Sequence, residues 1–124
     1  MKAFEKNAEY GNPVLNKSFH FSVRIVKFYQ LHIKNDYSVK DILKQVLRSG
    51  TSIGANVVES QDAASKKDVI NKLTISLKEA RETEYWLKLL KESNIIIEKE
   101  FSSLHDDCRE LLRLLTSIIK SAKQ

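Results

Sequence analysis

Proline, glycine and cysteine are nearly missing from this sequence. Of its 124 residues one is proline, three are glycine and one is cysteine. β-Sandwiches and nucleotide-binding α/β folds need more glycine and proline to turn the chain. Residues 14–124 contain no proline at all, and proline is what helix interiors tolerate least. A lone cysteine, Cys108, excludes an intramolecular disulfide framework and is too few for a cysteine-based zinc site. No stretch approaches about 18 uninterrupted apolar residues, and no apolar signal-peptide block stands at the N-terminus, so a soluble cytoplasmic protein without membrane partners is expected.

What is present fits one all-α domain. Hydrophobic residues make up 42% and charged residues 30%, with 21 basic and 16 acidic side chains for a net charge of +5. That is apolar material for one core. The positive excess is placed unevenly: residues 1–34 carry six basic and two acidic side chains. Nucleic acid is permitted as a partner by this charge and not required by it.

Four periodic segments predict helices over about 17–34, 39–63, 66–93 and 98–122, after an N-terminal arm at 1–15 that Gly11-Asn12-Pro13 marks as loosely held. The first segment starts like a strand, with Phe19, Phe21, Val23 and Ile25 alternating. A single strand would leave its backbone groups unpaired, so helix is the better reading. Ser38 followed by Asp41, and Ser65 followed by Asp68, are start signals for the second and third segments. In the second, Ile42, Val46, Ile53 and Val57 share a face with Gly50 and Gly54. Each glycine costs about 1 kcal/mol against alanine in a helix interior, so a close neighbouring helix is the expected compensation. The fourth segment has the cleanest stripe: Phe101, Leu104, Cys108, Leu111, Leu115, Ile118 and Ala122. Short connections between long helices predict an antiparallel up-down-up-down four-helix bundle over 16–124.

Two segments carry more apolar surface than one bundle core uses. The first is apolar around most of its circumference, leaving a polar arc of His20, Arg24, Lys27 and Lys34. The third has a stripe of Val69, Leu73, Leu77, Ala80 and Leu87, and a second group, Ile75, Trp86, Leu89 and Leu90, aimed elsewhere. A homo-oligomeric interface formed by that second group is expected; cover from the first helix or the arm is the alternative.

Catalytic signatures are missing. None of His20, His32 and His105 follows a glutamate by three residues, and there is no His-Glu-x-x-His or phosphate-loop pattern. Arg24 and His32 are too far apart for the Arg–His spacing of helical-bundle RNases. Cys108 lies in an apolar stripe and reads as structural. No enzyme, metal or cofactor is implied. Glu84 falls between Ala80 and Leu87, where an unpaired carboxylate is costly. Arg48, Ser52, Asn56 and Glu59 share one side of the second helix as its candidate partners, Arg48 first because guanidinium binds carboxylate bidentately. An internal pair, a ligand or nucleic-acid contact and a solvated face are the three readings of this group. The basic arc His20, Arg24, Lys27 and Lys34, with Lys2, Lys6 and Lys17, is the candidate nucleic-acid surface.

The stretches LRSGTSIGANVVES (47–60), SKKDVINKLTISLKEARETEYWLKLL (65–90) and LLTSIIK (114–120) resemble the bacterial 23S rRNA intervening-sequence proteins. Arg-x-x-x-Ser-Ile-x-Ala-Asn followed by Leu-Lys-Glu-Ala-x-Glu-Thr carries the resemblance, which spans about residues 18–122. It departs at Val58, where related sequences often have Arg or Ala, and at Ser60, where Gly or Ala is common. The resemblance implies an antiparallel four-helix bundle assembled as a homopentameric ring, without enzymatic activity. Accessory proteins of diversity-generating retroelements are similar in fold and bind a reverse transcriptase and nucleic acid. RNA, DNA or a nucleic-acid enzyme is therefore the implied partner, with a structural or adaptor oligomer for a protein partner as the alternative.

Overall fold

The computed structural model describes residues 12–124. They form four α-helices: α1 (Pro13–Asn35), α2 (Lys40–Gln61), α3 (Lys66–Glu92) and α4 (Glu98–Ala122), with a 3-10 turn, Tyr37–Val39, before α2. The expected arm at 1–15 lies outside the described residues as far as residue 11, and its last three residues are already helical. Asn12 is the reason. Its Oδ1 accepts from the backbone N–H groups of Val14 and Leu15 at 3.1 and 3.4 Å, and Pro13 takes the first helical position, where its missing N–H costs nothing. The helix therefore starts four residues before the expected boundary.

The remaining ends follow local chemistry in two cases and depart from it in one. Ser65 Oγ accepts from Asp68 N–H at 3.1 Å, as its spacing predicts. Ser38 does not cap α2: it sits inside the 3-10 turn, and Val39 is the N-cap without a side-chain bond. α3 stops at Asn94, which takes φ 62°, so that Ile95 N–H reaches Leu90 O at 2.9 Å and Asn94 N–H reaches Lys91 O at 3.0 Å. This is a left-handed helix stop of the Schellman type.

α1 and α3 bury residues alternately three and four apart. On α1 they are Val14, Ser18, Phe21, Ile25, Phe28 and His32; on α3, Leu73, Ser76, Ala80, Thr83, Leu87 and Leu90. A 3.5-residue repeat keeps one seam facing its neighbours over long helices. Thr83 and Ser76 thereby enter the core, while Val69 and Leu77 pack half-buried beside it. On α4 the buried line runs through Phe101, Leu104, Cys108, Leu111 and Leu115 and ends at Ile119 rather than at Ile118, which lies half-buried against it.

Residue numbers run in opposite directions along neighbouring helices. Ser49 meets Thr83, Ile53 meets Ser76, and Glu59 meets Lys72. Gly50 faces Ile25 and Gly54 faces Ser18 and Ser22. α1 packs on α2, α2 on α3 and α3 on α4, while α1 and α4 approach less closely. Gly50, Gly54 and Ala80 allow the tight seams; charged side chains fill the looser one.

Candidate functional site

The polar arc of α1 faces the acidic side of α4. Arg24 Nη1 lies 2.6 Å from Asp107 Oδ2 and 3.2 Å from Ser103 O, and Nη2 donates to Ser103 Oγ at 2.7 Å. Two turns towards the N-terminus, Lys17 Nζ binds Glu110 Oε2 at 3.1 Å. His20 and Lys17 line a groove of about 340 Å³ together with Asn16, Asp107 and Glu110. A second groove of about 230 Å³ is lined by Arg24, Lys27, Phe28, Leu31, Glu100 and Leu104. Of the arc's cations Arg24 is thus neutralised within the chain, as is the neighbouring Lys17. Lys27 and Lys34 are its two cations with no ion-pair partner among the described residues, and both are exposed.

At the far end of this seam His32 is buried between two carboxylates. Nδ1 is 2.9 Å from Asp36 Oδ2 and Nε2 is 2.8 Å from Glu100 Oε1. An ionised carboxylate only accepts, so both ring nitrogens donate and the ring is the charged imidazolium. Burial opposes that charge, but the hydrogen bonds to Asp36 and Glu100 and the charges of both outweigh it. The pKa of His32 is held above its usual value.

A second polar constellation clamps α2 to α3. Arg48 donates to Gln45 Oε1 at 3.1 Å, to Glu79 Oε2 at 2.8 Å and to Glu82 Oε2. Glu82 also accepts from the indole N–H of Trp86 at 3.0 Å. That indole bond, more than enough with Arg48 to offset partial burial, holds the Glu82 carboxyl below the usual range. Beneath the clamp Ser49 and Thr83 hydroxyls meet at 2.9 Å, and Ser76 Oγ donates to Ile53 O at 2.8 Å. Ser52 Oγ and Asn56 Nδ2 bond back to the carbonyls of Arg48 and Ser52 on their own helix. The two sequence motifs, one on α2 and one on α3, are the two halves of this seam.

The profile of the 23S rRNA-intervening sequence proteins matches residues 11–117. The chain belongs to that family. A crystal structure of a protein of unknown function from the S23 ribosomal protein family of Bacteroides thetaiotaomicron is similar to it, with a TM-score of 0.82 and 50% identity over 86% of this chain and 98% of that one. Among curated proteins there is no match.

In this intervening-sequence protein the expected Arg48–Glu84 pair does not form. Glu84 is half-buried on the α4 side of α3, where its Oε2 lies 2.8 Å from His105 Nε2 and 3.9 Å from Lys88 Nζ. The 3.5-residue repeat puts Thr83, not Glu84, in the core line, and that rotation carries Glu84 away from α2. Asn56 does not reach it either, and Glu59 binds Lys72 at 3.0 Å instead. Leu90 also corrects an expectation: it is 1% exposed and belongs to the core, so it cannot form an outer interface. Trp86 is half-buried against the core, Leu89 is half-buried, and Ile75 is exposed. Cys108 donates to Ala80 O at 3.3 Å, and burial, with Glu84 and Asp107 nearby, pushes its thiol up to about 12.

The acids of these clusters, Asp36, Glu79, Glu82, Glu100 and Asp107, were not singled out by sequence reasoning. One signal was there for two of them. Glu79 and Glu82 are three apart and flank the core line on the side of α3 opposite Glu84, the spacing that two carboxylates need to grip one guanidinium.

Proposed function

We propose that this chain is a non-enzymatic, homo-oligomeric helical bundle of up-down-up-down topology that binds nucleic acid, or an enzyme acting on it, by electrostatic attraction in the cytoplasm. The observation that carries the oligomer is an apolar row on the outside of α1. Phe19, Val23 and Val26, at steps of four and three, are all exposed, Phe19 to 69%. Val58 on α2 is exposed as well. A row of this kind on an otherwise well-filled bundle favours burial against another copy, and the family resemblance supports a pentameric ring as that assembly. The net charge of +5 supports the electrostatic part: one-to-one pairing with acids leaves cations over. No catalytic step belongs to this reading, since the buried thiol resists ionisation and two of the three histidines, His32 and His105, are engaged by carboxylates.

Light scattering on the purified chain, alone and with a structured RNA, tests it. The expected mass is that of several protomers, reduced to one by Phe19→Glu combined with Val23→Glu, and increased by RNA at low salt. A wild-type mass of a single protomer at tens of micromolar would overturn the assembly. An adaptor oligomer for a protein partner is the second reading, favoured by Ile75, Tyr85 and Ile97, which are exposed away from the α1 row.

A further inference from the structure

The acids of the bundle are sorted onto particular seams. On α3, Glu79 and Glu82 are turned towards Arg48, Glu84 is turned towards His105, and Asp68 faces a groove it shares with Glu59 and Asp62 on the α2 side. On α4, Glu98 binds Lys91, Glu100 binds His32, Asp107 binds Arg24 and Glu110 binds Lys17. Asp106 is the remaining α4 carboxylate, and no acid follows Glu110 before the end of the chain at Gln124.

The cations on the outward side of α3 and α4 have been left behind by this sorting. Arg109, Arg113 and Lys120 are exposed on α4 at steps of four and seven, which keeps them on one line over about 16 Å at 1.5 Å per residue. None of the three has an ion-pair partner among the described residues, in contrast to Arg24 and Lys17 on the opposite seam. Arg81 extends the line onto α3. It follows Ala80, whose carbonyl accepts from Cys108, and Arg109 follows Cys108, so the two arginines stand at the same level of the bundle.

We infer that this α3–α4 face, rather than the α1 arc, is the docking surface for the phosphate backbone of a nucleic-acid duplex. The inference rests on the reading that the chain binds nucleic acid and names the surface that does so. A row of cations with few acids complements a polyanion, because each phosphate contact releases counterions; Arg81, Arg109, Arg113 and Lys120 are unpaired among the described residues here, whereas the α1 arc, with Arg24 held by Asp107, has only Lys27 and Lys34 left to offer. α4 carries no aromatic residue beyond Phe101, which is buried, so its contribution is to the backbone and not to stacked bases.

Binding of a 20-base-pair RNA duplex, measured by fluorescence anisotropy across a salt series, decides the matter. The full chain is compared with Arg109→Glu/Arg113→Glu and with Lys27→Glu/Lys34→Glu, which changes the net charge equally on α1. The α4 variant is expected to lose at least tenfold in affinity at 50 mM salt and about two from the slope of log affinity against log salt; the α1 variant is expected to lose less than threefold. Arg109→Gln/Arg113→Gln should fall between wild type and the glutamate variant, and unchanged thermal melting of all variants reports intact folding. Equal losses in the two glutamate variants, or a larger loss from α1, would overturn the assignment of the surface while leaving nucleic-acid binding intact. No binding by the wild type at 50 mM salt would overturn the underlying reading together with it.

Discussion

Gly50 and Ile25 face each other across the α1–α2 seam with no room for a further atom. A Cβ on Gly50 would stand 2.9 Å from both Cγ1 and Cγ2 of Ile25, which is fully buried. Those are branch atoms held close to the α1 backbone, so they cannot swing aside as the end of a long side chain would. One turn on, Gly54 is slightly less confined: its Cβ would lie 3.2 Å from the backbone oxygen of Ser18.

Gly50→Ala should therefore destabilise the protein although alanine is the better helix former. The propensity gain is about 1 kcal/mol, while forcing an extra carbon into a filled seam costs roughly 1–3 kcal/mol. Denaturant midpoints check the sign. Adding Ile25→Ala to Gly50→Ala should cost clearly less than the two single changes summed, since the second change removes the atoms that clash. A higher midpoint for Gly50→Ala alone would contradict the close approach.

The partners of Arg48 and Glu84 can be separated by double-mutant cycles on stability. Arg48→Gln with Glu82→Gln should show a coupling of about 0.5–1 kcal/mol, modest because the arginine is half exposed. Glu84→Gln should couple with His105→Gln and show none with Arg48→Gln. Coupling between Arg48 and Glu84 would mean that the rotation of α3 described above is wrong.

Stability should depend on pH through His32. Its pKa is raised in the folded chain above the ordinary 6.5, so the folded state binds the proton more tightly than the unfolded one. The resulting stabilisation is complete below about pH 6.5 and is lost as the pH rises through the folded value. The difference in melting temperature between wild type and His32→Gln should shrink between pH 5.5 and 8.5. A difference that stays constant or grows would refute the charged bridge to Asp36 and Glu100.

Much of the fold was legible in local patterns. The end of the first helix, the start at Ser65, the span of α4 and the tight packing at Gly50 and Gly54 all rest on features within a few residues of one another. The start of α1 is hidden because Gly11-Asn12-Pro13 reads as a turn, when Asn12-Pro13 is also a strong cap. The site was less legible. Of the expected pairs, Arg48 lies where α2 meets α3 as anticipated, but its carboxylates are Glu79 and Glu82. A small error in rotation decides such matters: taking Glu84 rather than Thr83 as inward turns the wrong carboxylate towards α2.

The helical character of this chain, the course of its helices, the apolar stripe of each and the surplus of positive charge are all legible in its residues. These follow from residue types and spacings inside one helix, over distances of a few ångströms. Where that surplus remains is set by how the helices pack. Arg24 and Lys17 on α1 lie against Asp107 and Glu110 and are spent there, whereas Arg109 and Arg113 stay open because those same acids face the other way. Whether a charge is free depends on which helix stands beside it and on that helix's rotation, and neither is written in the spacing of its own neighbours.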